Sequence, residues 1–236
     1  MVRVEGEGLV AVVTLAREEK LNALSSQLER DLMTALDSEA VRSSRCIVVT
    51  GGKAVFSAGA DLTELRQMDA PAVFEYYRST GGVYERLAEM NQPSISAISG
   101  YCLGGGLELA LATDFRIADA TATFGLPEVG LGIVPSSGGI HRLVRMFGTA
   151  RARELILARP RFSAEEALSM GVVTEVVPAG GALARAKELA RSLGELPVLA
   201  SELARRSIDA AAESSREVAL LVERLAYAAL AEAVRH

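Results

Sequence analysis

The chain has little of what builds metal, disulfide or nucleic-acid sites. Its 236 residues include two cysteines and two histidines. Cys46 and Cys102 make no disulfide framework. With His141 and His236 they fall at no metal-ligand spacing, so no metal site is expected. Acidic residues outnumber basic ones, 30 to 25, for a net charge of −5. A nucleic-acid binder would carry the opposite excess, so no nucleic-acid partner is expected. An anionic small ligand needs only local basic groups and stays open. No run of about 18 apolar residues is present, which argues against a helical membrane span. The start, Met-Val-Arg-Val-Glu-Gly-Glu, lacks the apolar core of a signal peptide. No repeat or low-complexity stretch is evident. A cytoplasmic, reducing location without a membrane partner is the expectation.

Half of the chain is hydrophobic, enough for a sizeable core. Short apolar runs at residues 9–15, 46–50, 94–99, 115–118, 123–124 and 172–177 read as strands. Between them lie helical patterns. Residues 27–36 place Leu28, Leu32, Met33 and Leu36 at helical spacing. Residues 72–90 predict a helix with apolar Val73, Phe74, Tyr77, Val83, Tyr84 and Leu87, broken or kinked near Gly81-Gly82. Helices are also predicted over 107–113, 140–147 and 151–158. This alternation indicates an α/β fold. After about Gly181 the texture changes: 182–193, 197–212 and 216–234 are all helical and rich in Ala, Leu, Arg and Glu. The chain therefore divides into an α/β core, 1–181, and a helical C-terminal region, 182–236. The last helix carries Val218, Leu221, Val222, Leu225, Ala229, Leu230 and Val234, a face for its own core or for another subunit.

The chemistry concentrates in one strand-to-helix turn, Gly100-Tyr101-Cys102-Leu103-Gly104-Gly105-Gly106-Leu107-Glu108. Glycines let a ligand approach the backbone, and the free N–H groups of a helix N-terminus favour negative charge. A developing oxyanion fits there. The run is not a dinucleotide fingerprint, since Leu109 stands at the third glycine position, and Gly52-Lys53-Ala54 is not a P-loop. Glu108 has apolar neighbours on every side, Leu107, Leu109, Ala110 and Leu111, which predicts burial. Beside a helix N-terminus it suits a general base. Glu128 follows Pro127 among Leu126, Val129, Leu131, Ile133 and Val134; burial there would raise its proton affinity, as a general acid requires. An earlier small-residue loop, Ser57-Ala58-Gly59-Ala60-Asp61, offers a second oxyanion N–H or a plain turn with Asp61 as a helix cap. Ser136, Ser137 and His141 invite a hydrolase reading, but no G-x-S-x-G elbow is present and His141 reads as a cap or surface residue.

These segments together resemble the enoyl-CoA hydratase/isomerase (crotonase) superfamily over residues 9–177. The carriers are Leu21-Asn22-Ala23-Leu24, residues 56–62, 100–108 and 124–128, and 135–142, in the family's order and spacing. The resemblance implies a crotonase-like spiral of ββα turns with a C-terminal helical region, assembled as a homotrimer or homohexamer. It implies an acyl-CoA thioester as substrate, with CoA part of the substrate and no further cofactor. The N–H groups of Ala60 and Gly105 would form the oxyanion hole. Ala58 would lie near the adenine, and Ala23 and Leu24 along the CoA groove, with Asp61, Leu62 and Ser136 also at the substrate. Glu108 and Glu128 match the two catalytic glutamates of hydratases, which add water syn across a trans-2-enoyl-CoA.

Three departures bear on this. Ser136 stands where glycine is usual at the water-binding N–H. Thr63 stands where a basic residue often meets phosphate, with Arg17 or Lys20 as substitutes. The chain ends soon after the 216–234 helix, where many members continue with a helix over a neighbouring site, so looser CoA binding or an altered oligomer is expected. The alternatives are an isomerase or another acyl-CoA lyase, a thioester hydrolase using Ser136 or Ser137 with His141, and a non-enzymatic CoA-binding or scaffold protein.

Overall fold

The computed structural model describes residues 1–79, 82–158 and 161–233. Its strands are β1 (Val2–Glu7), β2 (Val10–Leu15), β3 (Cys46–Thr50), β4 (Ser94–Ile98), β5 (Tyr101–Leu103), β6 (Phe115–Asp119), β7 (Thr123–Gly125), β8 (Phe162–Ser163) and β9 (Glu175–Val177). Six of them make one sheet in the order β1-β2-β3-β4-β6-β9. β1 and β2 are antiparallel, and the remaining neighbours are parallel. β5, β7 and β8 form a second, smaller sheet. β2, β3 and β4 are buried along their whole length, as parallel strands covered on both faces must be.

The helices are α1 (Ser26–Leu36), α2 (Glu39–Arg42), α3 (Leu62–Leu65), α4 (Ala70–Ser79), α5 (Gly82–Ala88), α6 (Gly105–Leu111), α7 (Gly139–Arg153), α8 (Ala164–Ser169), α9 (Ala182–Gly194), α10 (Val198–Glu213) and α11 (Arg216–Ala233). Ser25 caps α1 through the Leu28 N–H, and a reciprocal Ser163/Glu166 capping box starts α8. α1 turns Leu28, Leu32 and Leu36 into the core with Leu87 of α5. On the sheet's other face α9 packs Ala182, Ala186 and Ala190 against Val12, Val48 and Ile95. Alanines at four-residue spacing let this helix lie close. The first helix after residue 181 thus belongs to the sheet, while α10 and α11 pack on one another. Those two leave Ile208, Leu221, Leu225 and Tyr227 exposed.

The chain winds as a spiral. β4 runs in the large sheet, β5 in the small one, and α6 returns; β6 and β7 repeat the step. Earlier turns join the second layer through single parallel bridges, Leu24 with Ala60 and Ser57 with Cys102. Asn22 ties two of these turns together. Buried and at φ 50°, it donates from Nδ2 to the carbonyls of Gly51, Val55 and Phe56 and accepts from the Arg17 N–H. Each successive turn thus lays a loop beside the previous one.

Most predicted elements are present, with instructive differences. β1 escaped notice although Val2, Val4 and Gly6 alternate with charged residues; it is an edge strand with all six residues partly or fully exposed. β5 and β8 are too short to show a period. The predicted 72–90 helix is two helices, α4 and α5, and the expected break at Gly81 lies outside the described residues, as do the Tyr77 side chain and Val234. The helices predicted over 140–147 and 151–158 meet at Gly148, whose φ of 75° interrupts the helical path of α7. The last strand is shorter than predicted: Val172 and Val173 are buried ahead of it without pairing.

Candidate active site

Two loops converge on the N-terminus of α6. Gly104, at φ 52° and ψ −127°, makes the turn into the helix, a conformation a side chain resists. The Gly104 N–H is tied to the Gly125 carbonyl and the Leu103 N–H to the Ser57 carbonyl. Gly105, the first helical residue, has no acceptor for its N–H among the described residues. On the neighbouring loop, the Leu24 N–H donates to Gly59 and its carbonyl accepts from Asp61. This pairing skips the Ala60 N–H, which faces away from Leu24. A Cβ placed on Gly105 would lie 3.7 Å from the Ala60 nitrogen. Two uncommitted backbone donors therefore sit side by side, the arrangement an oxyanion needs.

Glu108 projects from the first turn of α6 and is 3 % exposed. Its Oε1 accepts the N–H groups of Ser137 at 2.8 Å and Gly139 at 2.9 Å. Burial raises its proton affinity, opposed by backbone N–H groups of Gly139, Ser137 and Ser136 and by the Arg142 charge. Arg142 fixes that loop, donating to the Ser137 carbonyl and pairing with Glu85. Gly139 is required by contact: a Cβ there would lie 2.7 Å from Glu108 Cγ and Oε1.

Glu128 opens a single 3-10 turn, Glu128–Leu131, and is 7 % exposed. Its Oε2 accepts no hydrogen bond among the described residues. Burial, with the Glu108 charge nearby and only its own N–H in opposition, pushes its pKa up to about 7. Two carboxyls thus line one cleft in different environments, Glu108 held by backbone donors and Glu128 with its proton affinity raised further by burial.

The cleft has a free volume of about 80 Å³. Of the predicted site residues, Ala58, Ala60, Leu62, Gly105, Glu108, Glu128 and Ser136 line it. Ala23, Leu24 and Asp61 do not. Leu24 stands behind the donor pair, with Cδ1 3.2 Å from a Cβ on Gly105. Asp61 is occupied elsewhere: it caps α3 through the Thr63 and Glu64 N–H groups and pairs with Arg17 at 2.9 Å. Burial raises its proton affinity, but Arg17 and the α3 donors outweigh this and hold it below the ordinary value. Arg17, committed to Asp61 and the Ala23 carbonyl, is only partly available as a phosphate contact. His141 is exposed, and no hydrogen bond joins it to Ser136 or Ser137, so the hydrolase arrangement is not assembled.

Residues 5–232 match the enoyl-CoA hydratase/isomerase family. The chain belongs to that family. It is 36 % identical over 229 residues to the short-chain-enoyl-CoA hydratase of Clostridium acetobutylicum, covering 94 % of this chain and 86 % of the relative. An enoyl-CoA hydratase structure from Bacillus anthracis superposes with a TM-score of 0.89 at 36 % identity, covering 96 % of this chain and 89 % of the other. A Thermobifida fusca relative solved in complex with CoA superposes with a TM-score of 0.90 at 28 % identity, covering 100 % and 95 %. The spiral is the crotonase fold.

Sequence reasoning missed the third carboxylate of the cleft, Glu29, and the Tyr76 and Tyr84 hydroxyls beside it. A signal was available. Residues 29, 32, 33 and 36 share one helix face, so Glu29 falls in line with Leu32 and Leu36. Tyr84 was counted only as an apolar position.

Proposed function

We propose that the chain is an enoyl-CoA hydratase, a carbon–oxygen lyase that adds water across a trans-2-enoyl thioester, with CoA carried as part of the substrate. The observation that carries this is the meeting of two free backbone donors, Ala60 N–H and Gly105 N–H, with two buried carboxyls, Glu108 and Glu128. The thioester oxygen accepts both N–H groups. Glu108 takes a proton from water as its oxygen bonds to the β carbon. The electron pair of the double bond moves to the thioester oxygen, where charge accumulates and the donors bind the transition state more strongly than the ground state. Glu128 delivers its proton to the α carbon, giving a 3-hydroxyacyl-CoA. Exchange with solvent then restores both carboxyls. Every group in this sequence belongs to the chain, the thioester or water.

Isomerisation needs one carboxyl to carry a proton between carbons, which Glu128 alone could do. The two amides that aim Glu108 favour hydration, because a shuttle through Glu128 would leave that arrangement idle. The exposed Leu221, Leu225 and Tyr227 support assembly of α11 against other copies, a homotrimer or homohexamer. Among the described residues no helix is long and apolar enough to cross a membrane, in keeping with a cytoplasmic location.

The test is loss of the conjugated-thioester absorbance when the protein meets crotonyl-CoA, with Glu128→Gln as control. Loss with the wild type alone supports hydration. No loss with either, together with conversion of a 3-enoyl-CoA, overturns it in favour of isomerisation.

A further inference from the structure

The loop that aims Glu108 is itself held from outside the cleft. The guanidinium of Arg142, in the first turn of α7, is forked between two acceptors. Its Nη1 donates to the Ser137 carbonyl at 2.9 Å and its Nη2 to Glu85 Oε1 at 2.7 Å. Ser137 in turn gives its N–H to Glu108 at 2.8 Å. Glu85, Arg142, Ser137 and Glu108 thus form one line of hydrogen bonds running from α5 into the cleft. Gly138 lies against the ion pair. It is left-handed at φ 89°, and a Cβ there would collide with Arg142 Nη1 and stand 3.1 Å from Glu85 Oε1. The loop and the ion pair are therefore fitted to each other.

The Arg142 side chain is 12 % exposed, whereas Glu85 is 60 % exposed. An exposed ion pair contributes little to stability. What Glu85 supplies is direction. A planar guanidinium fixed at one end by a carboxylate has less freedom to leave the carbonyl at its other end. Neither Glu85 nor Arg142 is among the residues that line the cavity, but Tyr84, the residue before Glu85 on α5, is. One helix therefore both walls the cavity and steadies the loop opposite.

We propose that Glu85 is a positioning residue for Glu108, acting through Arg142 to keep the Ser137 amide on that carboxyl while touching no reacting atom. This deepens the hydratase reading and rests on it for what Glu108 does, though not for how Glu108 is aimed. A general base works only within hydrogen-bond reach of its water, so a loosened Ser137 amide lowers turnover before it weakens binding.

Hydrogen exchange and kinetics on Glu85→Gln, Arg142→Met and the double variant test this. Exchange is read by mass spectrometry on peptides covering residues 135–140, with β3 as the reference. Glu85→Gln is expected to speed exchange at 135–140 by about fivefold or more and to leave β3 unchanged. On crotonyl-CoA, kcat should fall about tenfold with KM within about twofold of wild type. Glu85→Asp, which keeps the carboxylate on a shorter stem, should recover part of both. In the double variant Glu85→Gln should add nothing to Arg142→Met, because a residue that acts through another has no effect once the other is gone. Unchanged exchange at 135–140 in Glu85→Gln overturns the proposal, and so does wild-type kcat despite faster exchange. Additive effects in the double variant overturn it too, as does exchange that rises equally in β3, which marks a general loss of stability. If the wild type leaves crotonyl-CoA unchanged, the hydratase reading falls, and the exchange measurements on the single and double variants still decide the role of Glu85.

Discussion

One oxygen of Glu108 receives two backbone N–H groups, whereas Oε2 of Glu128, in the same cleft, receives none among the described residues. Burial raises the proton affinity of both carboxyls, and the amides oppose this at Glu108, while at Glu128 only its own N–H does. Amide replacement should disable each role separately. Glu108→Gln and Glu128→Gln are each expected to lower kcat by about 10²–10⁴-fold, the usual range for a lost acid or base. Binding of a saturated acyl-CoA should change little. Steady-state kinetics on crotonyl-CoA with a parallel binding titration checks both, and turnover within threefold of wild type in either variant contradicts its role.

The pH profile of kcat/KM should be bell-shaped. Glu128 must hold its proton, and with its pKa pushed up to about 7 the rate falls as pH rises past neutrality. Glu108 must be ionised, so the rate also falls on the acid side, at a pH set above the ordinary carboxylate range by burial. The two charges interact, so both limbs belong to the pair. A profile flat from pH 5 to 9 would contradict the assignment.

Gly105→Pro removes one of the two donors at a helix position that accepts proline, and its ring crowds Leu24 and the Tyr84 hydroxyl, 3.2 and 3.3 Å from a Cβ there. Loss of one oxyanion donor costs about 2.7–4 kcal/mol of barrier, or about 10²–10³ in kcat. A thermal melt separates this from damage to the fold. Wild-type kcat in a folded variant would show that the Gly105 N–H is not used.

Glu29 should make the fold less stable as pH rises. Burial first, with Glu64 and Glu108 adding to it, pushes its pKa to about 7 despite the Tyr76 and Tyr84 hydroxyls, against an ordinary 4.5. Between these values the folded chain keeps a proton that the unfolded chain has released. The contribution is full below 4.5 and lost as pH passes 7. It amounts to about 3 kcal/mol. Urea melts of wild type and Glu29→Gln from pH 4.5 to 8 should therefore converge in slope outside this window and differ within it. Parallel curves across the whole range would refute the linkage.

Asn22→Ala strips three carbonyls of their shared donor at a left-handed position that asparagine tolerates well. An expected loss of about 2–3 kcal/mol follows from leaving buried acceptors unpaired. Denaturant unfolding measures it, and a loss under 0.5 kcal/mol would mean that solvent replaces the amide.

The burial of the two glutamates was readable from sequence because their surroundings betray them. A glutamate flanked by Leu107, Leu109 and Ala110 has nowhere to go but inward, and Glu128 sits in similar company. The strands β2 and β3 declare themselves as short runs broken only by Thr14 and Thr50, and β4 by Ile95, Ala97 and Ile98 set among small serines. β5 and β8 do not, since two or three residues carry no period and owe their pairing to the strands beside them. Asp61 was ambiguous for a different reason. A cap, an ion-pair partner and a ligand contact all call for the same carboxylate, and only the position of Arg17 separates them. Glu29 was hidden because its partners come from α4 and α5, more than forty residues away.

The winding of the chain also sets an order of arrival. As synthesis proceeds, Ala60 emerges first, then Gly105 and Glu108, then Glu128. A growing chain that stops at Glu128 already owns every reacting group assigned above. It still lacks the Ser137 and Gly139 amides that aim Glu108, and the Arg142 side chain that braces them. The last piece to leave the ribosome among these is the one that orients Glu108. An unfinished chain therefore holds Glu108 without the amides that aim it until the segment from Ser137 to Arg142 has emerged.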